Sequence, residues 1–437
     1  MDARERRFGI GISGAHGVDH FLKRVFPPLV PLWAIAFGLP LWKIGLLLGA
    51  RTLGSALGQT PVGHLSDRFD RRPFLSIGFM FMGFGLLSFP VLAAYEPGLS
   101  VTVAGTDLSG QFLAMLFVLL VIGLGSSTLH PIGYPLISQN VSQNRKGRVL
   151  GWWGSARAFG DGAAPAIVGL GLLVAGWEWV LAAVGTVGVA YGAFLYVWLA
   201  DYETRPADRV AADEDRERET ASIWAYDRQV FLYPLLAVFA AFVLQIVATS
   251  GTTIFLPQFI ASEYGYSFDL AGLVITPEST ASFYYSALLL TAGIAQFGTG
   301  RLVDVYDTRK VLIGFLVAGA TMLVVLSTMA FSAYVLLPVL LLLGATLWGL
   351  NPARDAIVSE IAPAEGEGRV FGYIWTGALI MSSMAPAVVG RIGDLAGLRQ
   401  AFLVVAGLVL VSTVPIALLL SDRVYRETGP TDSAPSD

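Results

Sequence analysis

The chain has 437 residues, of which 55% are hydrophobic and only 14% are charged. Soluble proteins carry about 25% charged residues, so this composition excludes an ordinary soluble domain. The net charge of −4 leaves no basic surface for phosphates and argues against a nucleic-acid partner, while the absence of cysteine excludes disulfides and thiolate metal sites.

Long apolar segments recur along the whole chain, and each can cross the hydrocarbon core of a lipid bilayer. The first six predicted spans cover 8–37, 42–63, 73–94, 112–138, 148–172 and 177–199. The last six cover 230–260, 280–301, 311–331, 334–361, 369–392 and 398–420. The sequence therefore predicts an all-α membrane protein with twelve transmembrane helices.

A polar segment at 200–228 separates the two sets of spans, with a mixed-charge run at 213–219 in its centre. Such a segment stays in water. We expect an N-terminal six-helix bundle over 1–199, this linker, and a C-terminal bundle over 229–437 with a short polar tail from Ser421.

The distribution of basic residues predicts the orientation of the chain. Most of the 28 lysines and arginines fall on the side that carries the N-terminus, the linker and the tail. The positive-inside rule places that side in the cytoplasm. Both termini are then cytoplasmic, which requires an even number of spans.

The two halves repeat one another. His130-Pro131 aligns with Asn351-Pro352, and Arg148 aligns with Arg369 at the same offset. The charged loop 63–72 recurs at 300–309. Because both copies run through the membrane in the same direction, the sequence predicts two parallel repeats about an axis along the membrane normal.

The charged loop resembles the signature G-x-L-x-D-R-x-G-R-R that lies between spans 2 and 3 of the major facilitator superfamily. The first copy matches it at Gly63, Leu65, Asp67, Arg68, Arg71 and Arg72, and the second at Gly300, Leu302, Asp304 and Arg309. Asp70 and Asp307 stand where the family has glycine. The resemblance covers the whole chain and implies an alternating-access transporter with its cargo site near the membrane midplane.

Span 5 resembles a second family pattern, G-x8-G-x3-G-P-x2-G-G, which is associated with antiporters. It matches at Gly151, Gly160, Pro165 and Gly169, and departs at Ala164 and Val168. The alternative is that these small residues only allow tight helix packing. The patterns around His16, Asp19 and His130 further resemble the fosmidomycin-resistance-like branch of drug–proton antiporters.

Charged residues within the spans are the first candidates for the transport pathway, because burying them in a membrane is costly. In span 1, His16, Asp19, His20 and Lys23 share one helical face, which we expect to point into the cavity, and Arg24 follows them. Asp19 is the preferred proton carrier. The alternative is that Asp19 and Lys23 merely neutralise one another.

Span 5 provides Arg157 and Asp161 at i, i+4 spacing. They form either a structural ion pair or a switch in which Asp161 titrates and frees Arg157 for an anion. The remaining candidates are Arg51 in span 2, His130 in span 4, and Arg354 and Asp355 in span 10, which as consecutive residues are not expected to face each other. Basic side chains outnumber carboxylates within the spans, which favours an anionic or zwitterionic cargo.

The loop signature is interpreted as a cytoplasmic gate, with Asp67 accepting hydrogen bonds from Arg71 or from a helix N-terminus of the other half. The alternative is that its arginines only fix the topology. Asp304 has lost arginine partners at Val305 and Thr308. We therefore expect the N-terminal gate to be the stronger one.

Three functions compete. The favoured one is proton-coupled efflux of a small anionic or amphipathic compound; the second is a symporter that imports an organic anion. A membrane enzyme or sensor is disfavoured, because the sequence has no nucleotide loop, zinc motif or nucleophile elbow, and no large soluble domain. We expect no cofactor and no metal, protons or sodium as the coupling ion, and a monomer in the bilayer.

Overall fold

The computed structural model describes residues 1–103, 105–206, 232–362, 367–421 and 424–425. The predicted linker and tail fall mostly outside these ranges, so the domain boundaries remain predictions. The first half consists of α1 (Ala3–Arg24), α2 (Val30–Ala36), α3 (Leu41–Ser66), α4 (Arg71–Ala93), α5 (Gly110–Ser126), α6 (Leu129–Asn140), α7 (Lys146–Gly171) and α8 (Trp177–Trp198), with short 3-10 turns at Pro27–Leu29, Gln143–Arg145 and Leu199–Asp201.

The second half repeats this plan. It consists of α9 (Tyr233–Glu263), α10 (Pro277–Val303), α11 (Thr308–Thr328), α12 (Ala333–Leu347), α13 (Asn351–Ile361), α14 (Glu367–Ser383), α15 (Ala385–Ala396), α16 (Leu398–Val411) and α17 (Thr413–Leu418). The prediction of an all-α membrane protein is confirmed.

Within the described ranges, eight helical segments are long and apolar enough to cross a membrane. The long helices α1, α3, α7 and α10 coincide with predicted spans 1, 2, 5 and 8 but are more polar. Because α7 packs on α1 and α10, and α3 packs on α14 and α15, much of their polar surface meets protein rather than lipid. The total of twelve crossings remains a prediction.

Several predicted spans are broken helices. Pro27 and Pro28 separate α1 from α2 within span 1, and Pro31 lies in the first turn of α2. Span 4 breaks between α5 and α6, and span 10 breaks between α12 and α13. The second pieces begin at Leu129 and Asn351, which are neighbouring positions in the sequence repeat, so the repeat is structural as well.

Two short hairpins were not predicted. Strands β1 (Ser100–Val103) and β2 (Thr106–Ser109) pair antiparallel between α4 and α5, and β3 (Phe268–Leu270) and β4 (Leu273–Ile275) pair between α9 and α10. The second turn has positive φ at Ala271 (54°) and Gly272 (88°), as the tight turns of two-residue hairpins require. The hairpins were hidden because each strand has only three or four residues.

The two ends of the molecule differ in how the halves meet. The loop side holds the N-terminus and loop 63–72: Arg4 donates to the Asp201 carbonyl at 2.8 Å, and the Arg71 amide donates to the Thr204 carbonyl at 3.0 Å. Along α7 and α10, Gly151, Gly154 and Gly298 face open space there. The halves are therefore apart on the loop side.

The halves are closed on the opposite side. The Ser286 hydroxyl donates to the Gly162 carbonyl at 2.6 Å, and Ser279 donates to the Gly169 carbonyl at 3.1 Å, joining α10 to α7. By symmetry, α3 meets α14 and α15 in what we call the α3–α15 seam. A side chain at Gly49 would collide there with the Ser383 carbonyl.

Asp394 fastens the α3–α15 seam at its outer end. Its two carboxylate oxygens accept hydrogen bonds from the Leu41 amide at 2.8 Å and the Trp42 amide at 3.0 Å. These amides begin α3 and have no partner within that helix. A carboxylate at a helix N-terminus also interacts favourably with the helix dipole, so this contact stabilises closure of the opposite side.

Removing the Asp394 carboxylate is expected to favour opening of the opposite side. Loss of such a cap costs about 1 kcal/mol, so Asp394→Ala should shift the ratio of conformers about fivefold. The chain has no cysteine, so Ser383→Cys provides a single label in the buried seam. A maleimide added from the opposite side should label it faster in Asp394→Ala.

Asp107→Ala is the matched control, because Asp107 lies on the exposed hairpin of the same side and its carboxylate accepts a hydrogen bond from Thr102 within that hairpin. It should leave the labelling rate unchanged. Equal labelling in the Asp394 variant and the control would show that the contact does not hold the seam closed.

Candidate functional site

A small cleft lies between the two halves at mid-depth. Three charged side chains line its first wall, Arg24 from α1 and Arg157 and Asp161 from α7. Uncharged residues line the second wall: Leu289, Ala292, Gly293 and Gln296 from α10, with Trp348 and Asn351 from the break between α12 and α13. The cleft is therefore charged on one side only.

Asp161 is the centre of the charged wall and is 7% exposed. Arg24 Nε lies 2.5 Å from its Oδ1, His20 Nδ1 lies 3.0 Å from the same atom, and Arg157 Nε lies 3.8 Å from Oδ2. The predicted pair with Arg157 exists, but Arg24 is the closer partner. Three partners on two helices fix this carboxylate firmly, and Arg157 makes the longest of the three contacts.

Asp19 forms a second ion pair deeper in the first half. Lys23 Nζ lies 2.5 Å from its Oδ2, so the two side chains neutralise one another in this conformation. Asp19 is 1% exposed, and its Oδ1 has no hydrogen-bond partner within the described ranges. Asp19 is thus buried and paired with Lys23, and its role as the proton carrier stays a prediction.

Three of the predicted histidines form a cluster beside these pairs. His16 is buried, its Nδ1 lies 2.9 Å from the Trp153 carbonyl, and its ring is 4.9 Å from His20 and 5.3 Å from His130. The carbonyl requires a proton on Nδ1, so neutral His16 has its lone pair on Nε2. His16 packs against α7 and is not among the residues that line the cleft.

Arg51 adds another cation from α3. Its guanidinium lies 5.9 Å from the Phe26 ring, and its Nε is buried without a hydrogen-bond partner among the described residues. Arg51 interacts electrostatically with Arg24, Asp19 and Asp161. It therefore increases the positive charge around the two carboxylates.

Arg354 and Asp355 lie apart from the cleft lining. We expected these consecutive residues not to face each other, which is wrong: Arg354 Nη2 lies 2.9 Å from Asp355 Oδ1. The long arginine side chain reaches back along the helix, and its guanidinium also stacks on Phe242 at 4.6 Å and Trp375 at 4.9 Å. These contacts lie within the second half, so a role in binding cargo stays an untested prediction.

The loop signature makes its contacts within its own half. Arg71 Nη2 lies 4.0 Å from Asp67 Oδ1, and Arg71 Nη1 donates to Gln139 Oε1 at 2.8 Å. Asp67 is half-exposed and has no hydrogen bond or ion pair to the second half among the described residues. An open loop side is the state in which a gate at Asp67 would be released, so the gating role remains a prediction.

The departures from the family pattern have a structural explanation. Asp70 caps α4 by accepting from the Arg72 amide at 2.9 Å, and Asp307 caps α11 by accepting from the Arg309 amide at 2.9 Å. Their φ values are −56° and −53°, so neither position needs glycine. The hydrogen bond from the Arg309 side chain also lowers the pKa of Asp307.

The other arginines and glycines of the loops have distinct places. Arg72 stacks on Tyr196 at 4.6 Å. Gly63 has only the Pro131 side chain nearby, and Gly300 faces open space. Arg309 also donates to the Leu419 carbonyl at 3.1 Å, whereas Arg68 and Asp304 are exposed side chains beside their loops.

The glycine pattern of span 5 serves close packing at two positions. A side chain at Gly160 would collide with the Gly17 carbonyl on α1, and one at Gly169 would press on Ser282 and Phe283 of α10. Gly151 faces open space. These contacts support the packing interpretation and give no information on the direction of transport.

The uncharged wall was missed by sequence reasoning. Gln296, Trp348 and Asn351 carry no formal charge, and the search for candidates followed charges. One signal was available, since Asn351 occupies the position in the second repeat that His130 occupies in the first.

Two repeated helical halves around a charged central cleft define a membrane carrier. The sequence model of the Major Facilitator Superfamily matches residues 12–277 and 275–436 of this chain. The chain belongs to this family of transporters and is a multi-pass protein of the plasma membrane.

Known proteins agree with this assignment. A probable L-galactonate transporter of Escherichia coli is 22% identical over 391 residues, which cover 85% of this chain and 79% of that protein. The fosmidomycin resistance protein of Escherichia coli is 32% identical over 129 residues, 29% of this chain and 28% of its own length. It supports the branch that the sequence motifs indicated.

Among solved structures, a bacterial homologue of the human lysosomal transporter Spinster, in an inward-facing and occupied conformation, superposes with a TM-score of 0.76. It is 14% identical, and the match covers 97% of this chain and 98% of that one. This likeness establishes the fold.

Proposed function

We propose that this transporter carries a small organic anion together with a proton. One observation carries the proposal: four basic side chains, Lys23, Arg24, Arg51 and Arg157, surround only two carboxylates, Asp19 and Asp161. This count of charges treats the histidines as neutral. An anionic cargo compensates the excess positive charge, whereas a cationic cargo would add to it.

Arg157 is the residue best placed to bind the cargo. It lines the cleft, its side chain is 33% exposed, and its distance to Asp161 is the longest of the three ionic contacts. A guanidinium binds a carboxylate through two parallel hydrogen bonds. Arg24 is already paired with Asp161, so it contributes mainly to the positive electrostatic potential in the cleft.

The same charges favour symport. Protonation of Asp19 removes one negative charge and releases Lys23, which makes the surroundings of the cleft more positive and strengthens anion binding. By reciprocity, a bound anion strengthens proton binding to the same extent. Proton and anion then travel together, and an inward proton gradient drives uptake.

The relatives agree with the charge of the cargo. One relative is a probable transporter of L-galactonate, a sugar acid that carries one carboxylate. At 22% identity the cargo itself does not transfer, but its chemical class is compatible with the cleft. We therefore place this chain among carriers of small carboxylates.

Proton-coupled efflux of an anionic or amphipathic compound, which the sequence favoured, is the second candidate. The match to a fosmidomycin resistance protein supports it. An antiporter requires proton and cargo to compete, however, and the excess of basic groups makes them cooperate when the cargo is an anion.

Binding measurements at two pH values separate the candidates. Purified protein is titrated with gluconate, and with glucose as the uncharged control, in acidic and in alkaline buffer. We expect gluconate alone to bind, and to bind more tightly in acidic buffer. Weaker binding in acidic buffer would indicate competition and support efflux, while equal binding of glucose would contradict an anion site.

A further inference from the structure

The uncharged wall of the cleft has unused hydrogen-bonding capacity. Asn351 is 7% exposed and lies at the start of α13. Its side-chain amide has no hydrogen-bond partner in the described part of the chain, although it lines the cleft. An amide that faces a cleft without a partner from the protein can take one from a ligand or from water.

Gln296 presents a fixed acceptor beside it. Its Nε2 donates to the Trp348 carbonyl at 3.2 Å, and because a carbonyl can only accept, the amide orientation is determined. Its Oε1 therefore points away from that bond and has no hydrogen-bond partner among the described residues. Gln296 and Asn351 together offer donors and acceptors but no charge.

The two walls thus provide different chemistry. A carboxylate is matched by Arg157 on the first wall, whereas neutral donors and acceptors such as Gln296 and Asn351 match hydroxyl groups. Trp348, 9% exposed, adds an apolar surface between them. The two walls therefore match a cargo that has an anionic end and a hydroxylated end.

We propose that Gln296 and Asn351 determine specificity by binding hydroxyl groups of the cargo, which is therefore a polyhydroxylated carboxylate. This inference rests on the proposed anion transport and adds what the rest of the cargo must carry. A site built for hydroxyl groups discriminates strongly against an analogue that lacks them, because its amides are then left unpaired.

Gluconate and hexanoate test this inference, since they share six carbons and one negative charge and differ in their hydroxyl groups. Their affinities are measured for the purified wild-type protein and for Gln296→Leu, Asn351→Leu and the double variant. We expect wild type to prefer gluconate, and each variant to weaken gluconate binding about tenfold, the effect of one hydrogen bond. Hexanoate binding should change little.

Asn144→Leu, at an exposed amide on the loop side, is the matched control and should behave as wild type. Unchanged hexanoate binding in the variants also shows that they are folded. If gluconate and hexanoate weaken equally, or if the gluconate affinity does not change, the hydroxyl-binding role is wrong while anion transport stands. If wild type binds neither anion, both the hydroxyl-binding role and the proposed anion transport are wrong.

Discussion

Replacement of Asp19 by asparagine is expected to abolish accumulation of the anion driven by a proton gradient. The variant cannot take up a proton, so the gradient no longer supplies energy to transport. Lys23 loses its ionic partner, as it would beside protonated Asp19. Anion binding should therefore survive, and exchange of labelled for unlabelled anion should continue at a rate similar to that of wild type.

The combination of lost accumulation and retained exchange distinguishes a coupling residue from a folding residue. An unpaired buried lysine destabilises a protein, and a variant that failed to fold would lose both activities. Asp201→Asn, at an exposed position on the loop side, is the control and should keep both. Accumulation at the wild-type level in Asp19→Asn would exclude Asp19 as the proton carrier.

Replacement of Arg157 by glutamine is expected to weaken anion binding by about 10- to 100-fold. Hydrogen bonds to charged groups contribute about 1.5–3 kcal/mol, and Arg157 has the longer contact with Asp161 of the two arginines that line the cleft. Asp161 keeps Arg24 and His20 as partners, so the charged wall should persist. Equilibrium binding of gluconate to the purified variant measures the effect directly.

Arg157→Lys preserves the charge and loses the two-pronged geometry, so an intermediate affinity is expected. Arg354→Gln is the second control, because Arg354 binds Asp355, Phe242 and Trp375 within the second half. An Arg157→Gln variant with wild-type affinity would place the cargo elsewhere, as would a larger loss in Arg354→Gln.

The fold was largely predictable, because hydropathy and the internal repeat are both signals that extend over whole helices. The breaks within spans were not foreseen. Continuous apolarity at 112–138 and 334–361 concealed helix ends at Ser126 and Leu347, where only Pro131 and Pro352 gave a local indication. Spacing on one helix also could not reveal that Arg24 approaches Asp161 more closely than Arg157 does, since that pair joins two helices.

The candidate site was predictable to the extent that it is charged. His20, Arg24, Arg157 and Asp161 do come together, because ionisable groups in a membrane protein must find partners. The shared face of span 1 was expected to line the cavity, yet His16 packs on the Trp153 carbonyl instead. Uncharged lining residues such as Asn351 have no such energetic requirement and leave little trace in a sequence.

Proton movement that accompanies the anion is the most direct test of the account. Wild-type protein is reconstituted into vesicles that contain a trapped pH-sensitive dye, and gluconate is added outside in the absence of a pH gradient. The account predicts that the vesicle lumen becomes more acidic as gluconate enters, and that Asp19→Asn abolishes this acidification. A lumen that becomes more alkaline, or gluconate entry with no change in pH, would contradict proton–anion symport.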